Sequence, residues 1–576
     1  MDKIVRVNMT DLTTRTEAAP AAWTGLGGRG LTSTIIAAEV PPRCHPLGPN
    51  NKLVFAPGLL TGTLAAQSGR LSAGAKSPLT KTIKESNSGG TAAQQLAKLG
   101  IKALIIEGHP TTEQWHRLHV TADGVSFETA DDLAGRNNRE VIAAMNEEYG
   151  NKVGVLTIGV AGEMRMAAAD ISVKDPDQNI RSHGRGGLGA VMGAKRVKCI
   201  TIEDPGAAKV PVADPEKFRA AAKIFAKTLL DHPVSGQGLP IYGTDVLINI
   251  LNEAGGLPTK NFRFGRCPHH DAISGETMHD VIAERGGKVK HGCHAGCIIQ
   301  CSQIYTTESG AFLTSGFEYE TIWGLGANAM IENLDDIAEC DRLMDDIGID
   351  SIEGAVMLAV AMEAGVIPWG DGKECQRVLR DEIGKGTPLG RILGNGTSSV
   401  GRAYGLVRVP VVKDEGIPAY DPRSVKGIGV TYATSTMGAD HTAGYTVATN
   451  ILKVGGYVDP LSKEGQVELS RNLQIATAAV DSTGMCIFIA FPMLDIPETF
   501  TSLIDMINAQ YGLEMTADDF LKMGKTILKT EHAFNQGAGF SKAQDRLPEF
   551  FNYEPVPPHN AVWDFTDEEL DEFWNF

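Results

Sequence analysis

The chain has 576 residues, 42% of them hydrophobic, and a formal net charge of −17. That length predicts two to four domains with sizeable buried cores, and the acidity, without any long basic run, excludes nucleic acid as an expected partner. The start, Met1–Asn8, lacks the apolar core of a signal peptide. No stretch is long enough for a membrane-spanning helix, and nine partly clustered cysteines favour a reducing cytoplasm over a disulfide framework.

The first part reads as strands and glycine turns. Strands are predicted at Ile4–Asn8, Lys52–Ala56, Ile101–Glu107, Val153–Gly159, Met166–Val173 and Val197–Glu203, runs rich in β-branched residues and bounded by turn formers. After Pro205 and Pro211 the pattern becomes helical, with Phe218, Ala222, Phe225, Ala226 and Leu229 at helical spacing in Pro215–Leu230. Further helices are expected at Thr244–Ala254, Leu334–Ile347, Ser351–Ala364, Lys373–Ile383, Lys463–Val480, Ala517–Thr530 and Glu531–Gly537. A break at Val409–Pro418 divides the helical part, and the acidic tail Pro555–Phe576 reads as a surface strap. No period-length internal repeat is visible. The expected class is α+β: a β-rich base over 1–208, then two mostly helical domains over 209–412 and 413–576.

Two glycine patterns, Gly25-Leu26-Gly27-Gly28-Arg29-Gly30 and Gly184-Arg185-Gly186-Gly187-Leu188-Gly189, satisfy G-x-G-x-x-G. Neither suits a nicotinamide site, since Ala18–Thr24 is no convincing strand and Asp177–His183 reads as a loop. Exposed amides in such turns, with Arg181 and Arg185 beside the second, suit phosphate; an ordinary glycine turn is the plainer alternative.

Cys293, Cys297 and Cys301 fall within nine residues, flanked by His291 and His294, and Cys486 lies far downstream. Three clustered thiolates with a remote fourth suit a four-iron, four-sulfur cluster. Zinc is the rival metal, and three buried structural thiols are the bland alternative. Finally, Asp345–Asp350 reads D-x-x-G-x-D and Asp481–Cys486 reads D-x-x-G-x-C, each after a predicted helix. A carboxylate at a helix C-terminus is not favoured by the helix dipole. It needs another partner, such as the N–H donors of a bound heterocycle.

With these motifs the chain resembles the tungsten-dependent aldehyde ferredoxin oxidoreductase family. The likeness runs through Ser68–Arg70, Lys76–Thr80, Ser86–Gly90, Arg181–Lys195, Leu257–Phe262, Ile273–Glu276, the cysteine run, Phe317–Thr321, Tyr432–Tyr445 and both D-x-x-G motifs. The resemblance implies a tungsten held by two pterins, a neighbouring [4Fe-4S] cluster and a Mg2+ ion between the pterin phosphates. Arg70, Asn87, Gly89, Arg181, Ser182, Gly184 and Arg185 would surround those phosphates, with Asn87 and Ser182 at the magnesium. Asp345 and Asp481 would each bind one pterin, with Asp350 and Met485 beside them. Cys293, Cys297, Cys301 and Cys486 would hold the cluster. One departure stands out: C-x-x-x-C-x-x-x-C replaces the family's usual C-x-x-C-x-x-x-C.

The expected reaction is aldehyde and water to carboxylic acid, with electrons leaving through the cluster to ferredoxin or a small iron–sulfur subunit. An oligomer with itself or such a subunit is compatible. Proton handling is expected from Glu318 and His441, with Glu320 competing for the acid role, since on a strand both glutamates share one face. Tyr420 is a further hydrogen-bond donor. Arg285, Lys288 and Lys290 are a basic patch suited to an acidic electron carrier. The alternatives are a benzoyl-CoA-type tungsten subunit, weakened by the absence of cysteine between Cys301 and Cys340, and a non-catalytic Cys/His zinc module. No residue distinguishes tungsten from molybdenum.

Overall fold

A computed structural model describes residues 1–204, 206 and 209–576. The expected boundary at 208/209, and the change of pattern at Pro205, fall on residues outside the described ones. The first part holds twelve strands: β1 (Lys3–Asn8), β2 (Thr13–Ala18), β3 (Leu53–Pro57), β4 (Leu71–Lys76), β5 (Ile83–Ser88), β6 (Ile101–Glu107), β7 (His116–Thr121), β8 (Gly124–Thr129), β9 (Gly154–Thr157), β10 (Ile171–Lys174), β11 (Ile180–His183) and β12 (Val197–Ile202). They form two six-stranded sheets, ordered β2-β1-β6-β3-β4-β5 and β8-β7-β12-β9-β10-β11.

These two sheets are one topology used twice, a duplication of backbone that leaves no period-length repeat in the sequence. In each, the first strand pairs antiparallel with the second and parallel with the sixth, and the remaining pairings are antiparallel. The helices repeat too. Gly28–Glu39 follows β2 as Asn138–Tyr149 follows β8, and Ala92–Lys98 follows β5 as Leu188–Ala194 follows β11. The register aligns the halves residue by residue: Ala56↔Ser72↔Asn87 in one sheet answers Thr157↔Ser172↔Ser182 in the other. Asn87 therefore corresponds to Ser182, Gly89 to Gly184, and Arg70 to Asp170.

Strand alternation explains the near-continuous apolar runs. Val5, Val7, Leu53, Phe55, Leu104 and Ile106 point into a core shared by both sheets. Ile4, Val54, Ala56, Ala103 and Ile105 point the other way, onto Leu31, Ile35 and Ile36 of the first helix. Each of these side chains is almost fully buried, which stabilises by roughly 1.5–3 kcal/mol for a whole Val, Leu, Ile or Phe side chain.

The remainder is mostly helical, including Pro215–Asp231, Leu334–Ile347, Ser351–Glu363, Gln466–Thr483, Pro497–Tyr511 and Ala517–Ala538. One hydrophobic core runs from Ala161 through Trp323, Val356 and Tyr432 to Phe573. The tail strap inserts Trp563, Phe565 and Phe573 into that core.

Local expectations need four corrections. Met166–Val173 is irregular until Ile171, apart from an isolated bridge from Ala169 to Ile349, and Asp177–His183 contains strand β11 rather than only a loop. Ala517–Thr530 and Glu531–Gly537 are one helix, started by a Thr516–Asp519 capping box. Glu318 and Glu320 are not on a strand: Glu318 caps the short helix Tyr319–Trp323, which contains Glu320.

A candidate cofactor and metal site

The duplication places strands β5 and β11, the edges of the two sheets, side by side: His183 Nδ1 lies 2.8 Å from the Ser86 carbonyl. Asn87, Arg181 and Ser182 are thus brought to one seam, with Gly89 and Gly184 just beyond it. Over this seam lies a cavity of about 590 Å³. Its polar end is lined by Arg70, Gly89, Asp170, Arg181, Ser182, Gly184, Cys293, Cys301, Asp345 and Asp350. Asn87 sits on β5 but does not line the cavity.

Each D-x-x-G loop docks on its own half of the base. Gly348 and Gly484 end their helices in the left-handed conformation, the usual use of glycine there. The amide of Arg70 donates to the Gly484 carbonyl and the amide of Asp170 to the Gly348 carbonyl, each at 3.0 Å. A side chain at Gly58 would lie 1.9 Å from the Gly484 nitrogen, and one at Gly159 would lie 2.2 Å from the Ile347 oxygen. The two glycine patterns serve the same contacts: a Cβ at Gly28 would meet the Asp481 carbonyl at 2.2 Å, and one at Gly184 would meet Asp350 Oδ1 at 2.6 Å. At Gly28, Gly58 and Gly159 backbone approaches backbone, whereas Gly184 makes room for the Asp350 carboxylate.

The partner of each D-x-x-G carboxylate is an arginine that sequence reasoning missed. Arg29 Nη1 lies 3.2 Å from Asp481 Oδ2, and Arg139 Nη2 lies 2.9 Å from Asp345 Oδ2. Both arginines occupy the second position of equivalent helices, Gly28–Glu39 and Asn138–Tyr149. Only the structural repeat exposes that correspondence, because the surrounding sequences differ. Arg29 also binds buried Glu531 through two nitrogens, at 2.9 and 2.8 Å. Acids remain in excess. Burial pushes Asp481 up to about 6, Asp170 to about 7 and Glu85 to about 8, the last aided by the charge of Asp481.

The cysteines converge. Sγ of Cys293, Sγ of Cys297 and a ring nitrogen of His294 lie within 4.8 Å of one another. Arg70 feels the charges of Cys486, Cys293 and Cys301, and its Nη2 lies 3.7 Å from Cys486 Sγ. Gln67 joins the segments: its carbonyl accepts the Cys486 amide at 2.9 Å, and its side-chain oxygen accepts the Ile298 amide at 2.6 Å. The extra spacer residue is absorbed in a turn with Gly296 at φ 84°. Gly89 faces Cys293, where a Cβ would stand 2.9 Å from the sulfur. Met485, next to Cys486, is buried in the apolar cluster below the cysteine loop, with Leu59, Leu60 and Phe218.

Arg181 and Arg185 are already engaged. Arg181 binds Asp175 and Ser302. Arg185 donates to the Gly416 and Ala439 carbonyls and lies 3.6 Å from Asp350, 3.5 Å from Glu353 and 3.8 Å from Glu415. Lys84 also binds Glu415, at 3.0 Å, and donates to the Met437 carbonyl. This network clamps the loop before His441 onto the base.

At the centre of the cavity His441 Nε2 lies 3.1 Å from Glu320 Oε1, angled off hydrogen-bond geometry. Glu320 also accepts the Ala419 amide at 3.1 Å. Tyr420 Oη meets Tyr445 Oη at 3.0 Å. Glu318 accepts from the Thr244 hydroxyl at 2.8 Å, and burial pushes its carboxyl up to about 7. Burial likewise raises Glu320, with the charge of His441 opposing.

A bound polar group fits this chamber. Buried polar atoms around it lack hydrogen-bond partners: Arg70 Nε, Asp170 Oδ1, His183 Nε2, Arg185 Nε, Glu320 Oε1 and His441 Nδ1. Buried polar atoms are normally paired. Cations beside thiols and carboxyls provide for both an anionic group and its N–H donors. Two folded halves enclosing such a chamber between thiols and an acid–imidazole pair make a site whose chemistry suits a redox metal cofactor.

The chain belongs to the aldehyde ferredoxin oxidoreductase family. The family's N-terminal domain model matches residues 4–204, and its model for domains 2 and 3 matches residues 220–576. The tungsten-containing aldehyde ferredoxin oxidoreductase of Pyrococcus furiosus is 34% identical over 575 residues, covering 96% of this chain and 92% of that protein. Its Thermococcus kodakarensis counterpart is 36% identical over 551 residues, covering 92% and 88%. A solved structure, the active site complex BamBC of benzoyl coenzyme A reductase in complex with 1,5-dienoyl-CoA, shares the fold at TM-score 0.80 and 20% identity, covering all of this chain and 93% of that one. The protein is therefore an oxidoreductase of a tungsten-dependent family, which implies a tungsten–pterin cofactor. Its fold is the expected β-rich base followed by a mostly helical region. No helix among the described residues is long and apolar enough to cross a membrane.

Proposed function

We propose that this protein oxidises aldehydes to carboxylic acids, with water as the oxygen source and electrons leaving through a [4Fe-4S] cluster to ferredoxin or an iron–sulfur partner subunit. The balance is RCHO + H2O → RCOOH + 2 e− + 2 H+. One observation carries the reading: Cys293 and Cys301, at the edge of the thiol group, and the Glu320–His441 pair line the same cavity, so electron exit and proton handling flank one reacting centre.

Arg70, Asn87, Gly89, Arg181, Ser182, Gly184 and Arg185 would hold the pterin phosphates, with Asn87 and Ser182 the Mg2+ ligands. The correspondence of Asn87 with Ser182 supports this, because equivalent positions of two halves suit one ion between two similar ligands. Asp345 and Asp481, held by Arg139 and Arg29, would accept the pterin N–H groups, and Asp350 and Met485 shape the adjoining loops. Cys293, Cys297, Cys301 and Cys486 would hold the iron. The tungsten–pterin centre supplies the two-electron oxidation.

The chain's own residues handle substrate and protons. Glu320 takes a proton from water, and His441, whose Nε2 stands 3.1 Å away, receives or returns it once the imidazole turns into line with the carboxylate. Tyr420, held by Tyr445, donates to the carbonyl oxygen of the aldehyde. Glu318 lies on the thiol side, where its charge is felt by Cys301 and Arg181, and provides a second carboxyl close to neutrality.

The test is anaerobic assay of the purified protein with a viologen acceptor and aldehydes, beside a reduced donor with aryl-CoA esters. Dye reduction with aldehydes alone supports the reading. Turnover of aryl-CoA alone overturns it.

A further inference from the structure

The cavity has a second, apolar end that the proposed oxidation does not use. Its walls include Val234, Leu239, Ile250, Leu452, Phe488 and Phe491. Leu239, Ala448 and Phe491 are buried in one apolar cluster, with Val234, Leu452, Tyr445 and Phe488 packed against it. An unbroken aromatic row links this end to the reacting centre. His441 and Tyr420 rings are 5.9 Å apart, Tyr420 and Tyr445 5.6 Å, Tyr445 and Phe491 6.2 Å, and Phe491 and Phe488 6.2 Å. Leu494, 38% exposed, marks the outer limit. Next to it, Asp495 ties the rim together, accepting the Gly455 amide at 2.7 Å and lying 3.0 Å from His232 Nε2.

Among the described residues, the arginines lining the cavity are Arg70, at the thiols, and Arg181, at Asp175; no lysine lines it, and its one histidine, His441, stands at the reacting centre. A substrate carrying a carboxylate, a phosphate or the phosphates of coenzyme A would enter past Asp495 into an arm without a counter-ion, and burying an unpaired charge is costly.

We infer that this arm selects aldehydes with a large, uncharged apolar body, aryl or medium-chain alkyl, over small and anionic aldehydes. The inference rests on the aldehyde-oxidising reading and narrows it. The carbonyl sits between Glu320, His441 and Tyr420 while the body lies along Tyr445 and Phe491. Aryl groups gain edge contacts with these rings, and alkyl groups gain area-dependent burial.

The test is kcat/KM of the anaerobic holoenzyme with a viologen acceptor across acetaldehyde, butanal, hexanal, benzaldehyde and succinic semialdehyde. Hexanal and benzaldehyde should exceed acetaldehyde at least tenfold, and succinic semialdehyde should fall at least tenfold below butanal. Leu239→Trp, which fills the arm, should lower the hexanal-to-acetaldehyde ratio at least tenfold. A flat series, or preference for the anionic aldehyde, overturns the inference while leaving aldehyde oxidation standing, and the wild-type series decides even if the variant fails to fold. Oxidation of no aldehyde at all overturns both.

Discussion

Replacing Arg29 by methionine strands Glu531. That carboxylate has no solvent exposure, and Arg29 is 3% exposed and binds it through two nitrogens. Removing one partner of such a pair costs about 3–5 kcal/mol, because the remaining charge stays buried. The hydroxyls of Ser33 and Thr436, at 2.8 and 2.6 Å from Glu531, soften but do not cancel that cost. Arg139 faces Asp345 with side chains 18% and 20% exposed, so Arg139→Met should cost less, about 1–2 kcal/mol, between the surface and buried limits. Arg29→Met combined with Glu531→Met should recover most of the single-variant loss, since a buried pair can be replaced by apolar groups nearly neutrally. Urea unfolding midpoints of the four proteins under anaerobic conditions measure the order. Equal losses for the two arginine variants, or a double variant no better than Arg29→Met, would refute the reasoning.

Glu320→Gln should lower kcat by about 10²–10⁴-fold, the range for lost general acid–base catalysis, with iron and tungsten retained; unchanged kcat would remove Glu320 from proton handling. Protein freed of cofactor should lose stability as pH rises. Burial raises Asp170 from 3.8 to about 7, so between those values the folded state holds a proton that the unfolded chain has released, and that contribution disappears as pH climbs through about 7. Urea midpoints across this window check the sign, and Asp170→Asn should flatten the slope. Gly159→Ala puts a methyl 2.2 Å from the Ile347 oxygen, a backbone clash that should cost about 1–3 kcal/mol or more; a wild-type midpoint would show that the loop moves away freely.

Much of this was legible in the sequence. β-branched runs located strands such as Ile101–Glu107, and helical spacing located Pro215–Asp231 and Leu334–Ile347, because one-sided or complete burial writes itself into periodicity. The cysteine run and both D-x-x-G turns were visible because thiolates and post-helical glycines are chemically distinctive. The duplication was not. Its halves share backbone register rather than side chains: Asn87 answers Ser182, and Arg70 answers Asp170. Glu318-Tyr319-Glu320 alternates like a strand, yet it opens a helix because the Thr244 hydroxyl supplies both a donor to Glu318 and an acceptor for the Tyr319 amide. The basic patch divides on inspection. Lys288 and Lys290 are exposed on strand Lys288–His291, whereas Arg285 is tied to Asp335 and Tyr305. Any acidic electron carrier would therefore meet the two lysines rather than all three cations.

The convergence of the remote thiol with the clustered ones, beside a tungsten–pterin chamber, is tested most directly by iron and tungsten analysis of anaerobically purified wild type and Cys486→Ser. Both metals should be present in the wild type, and the substitution should strip iron while the chain still folds. Wild type devoid of either metal, or a serine variant with its iron intact, would contradict the account.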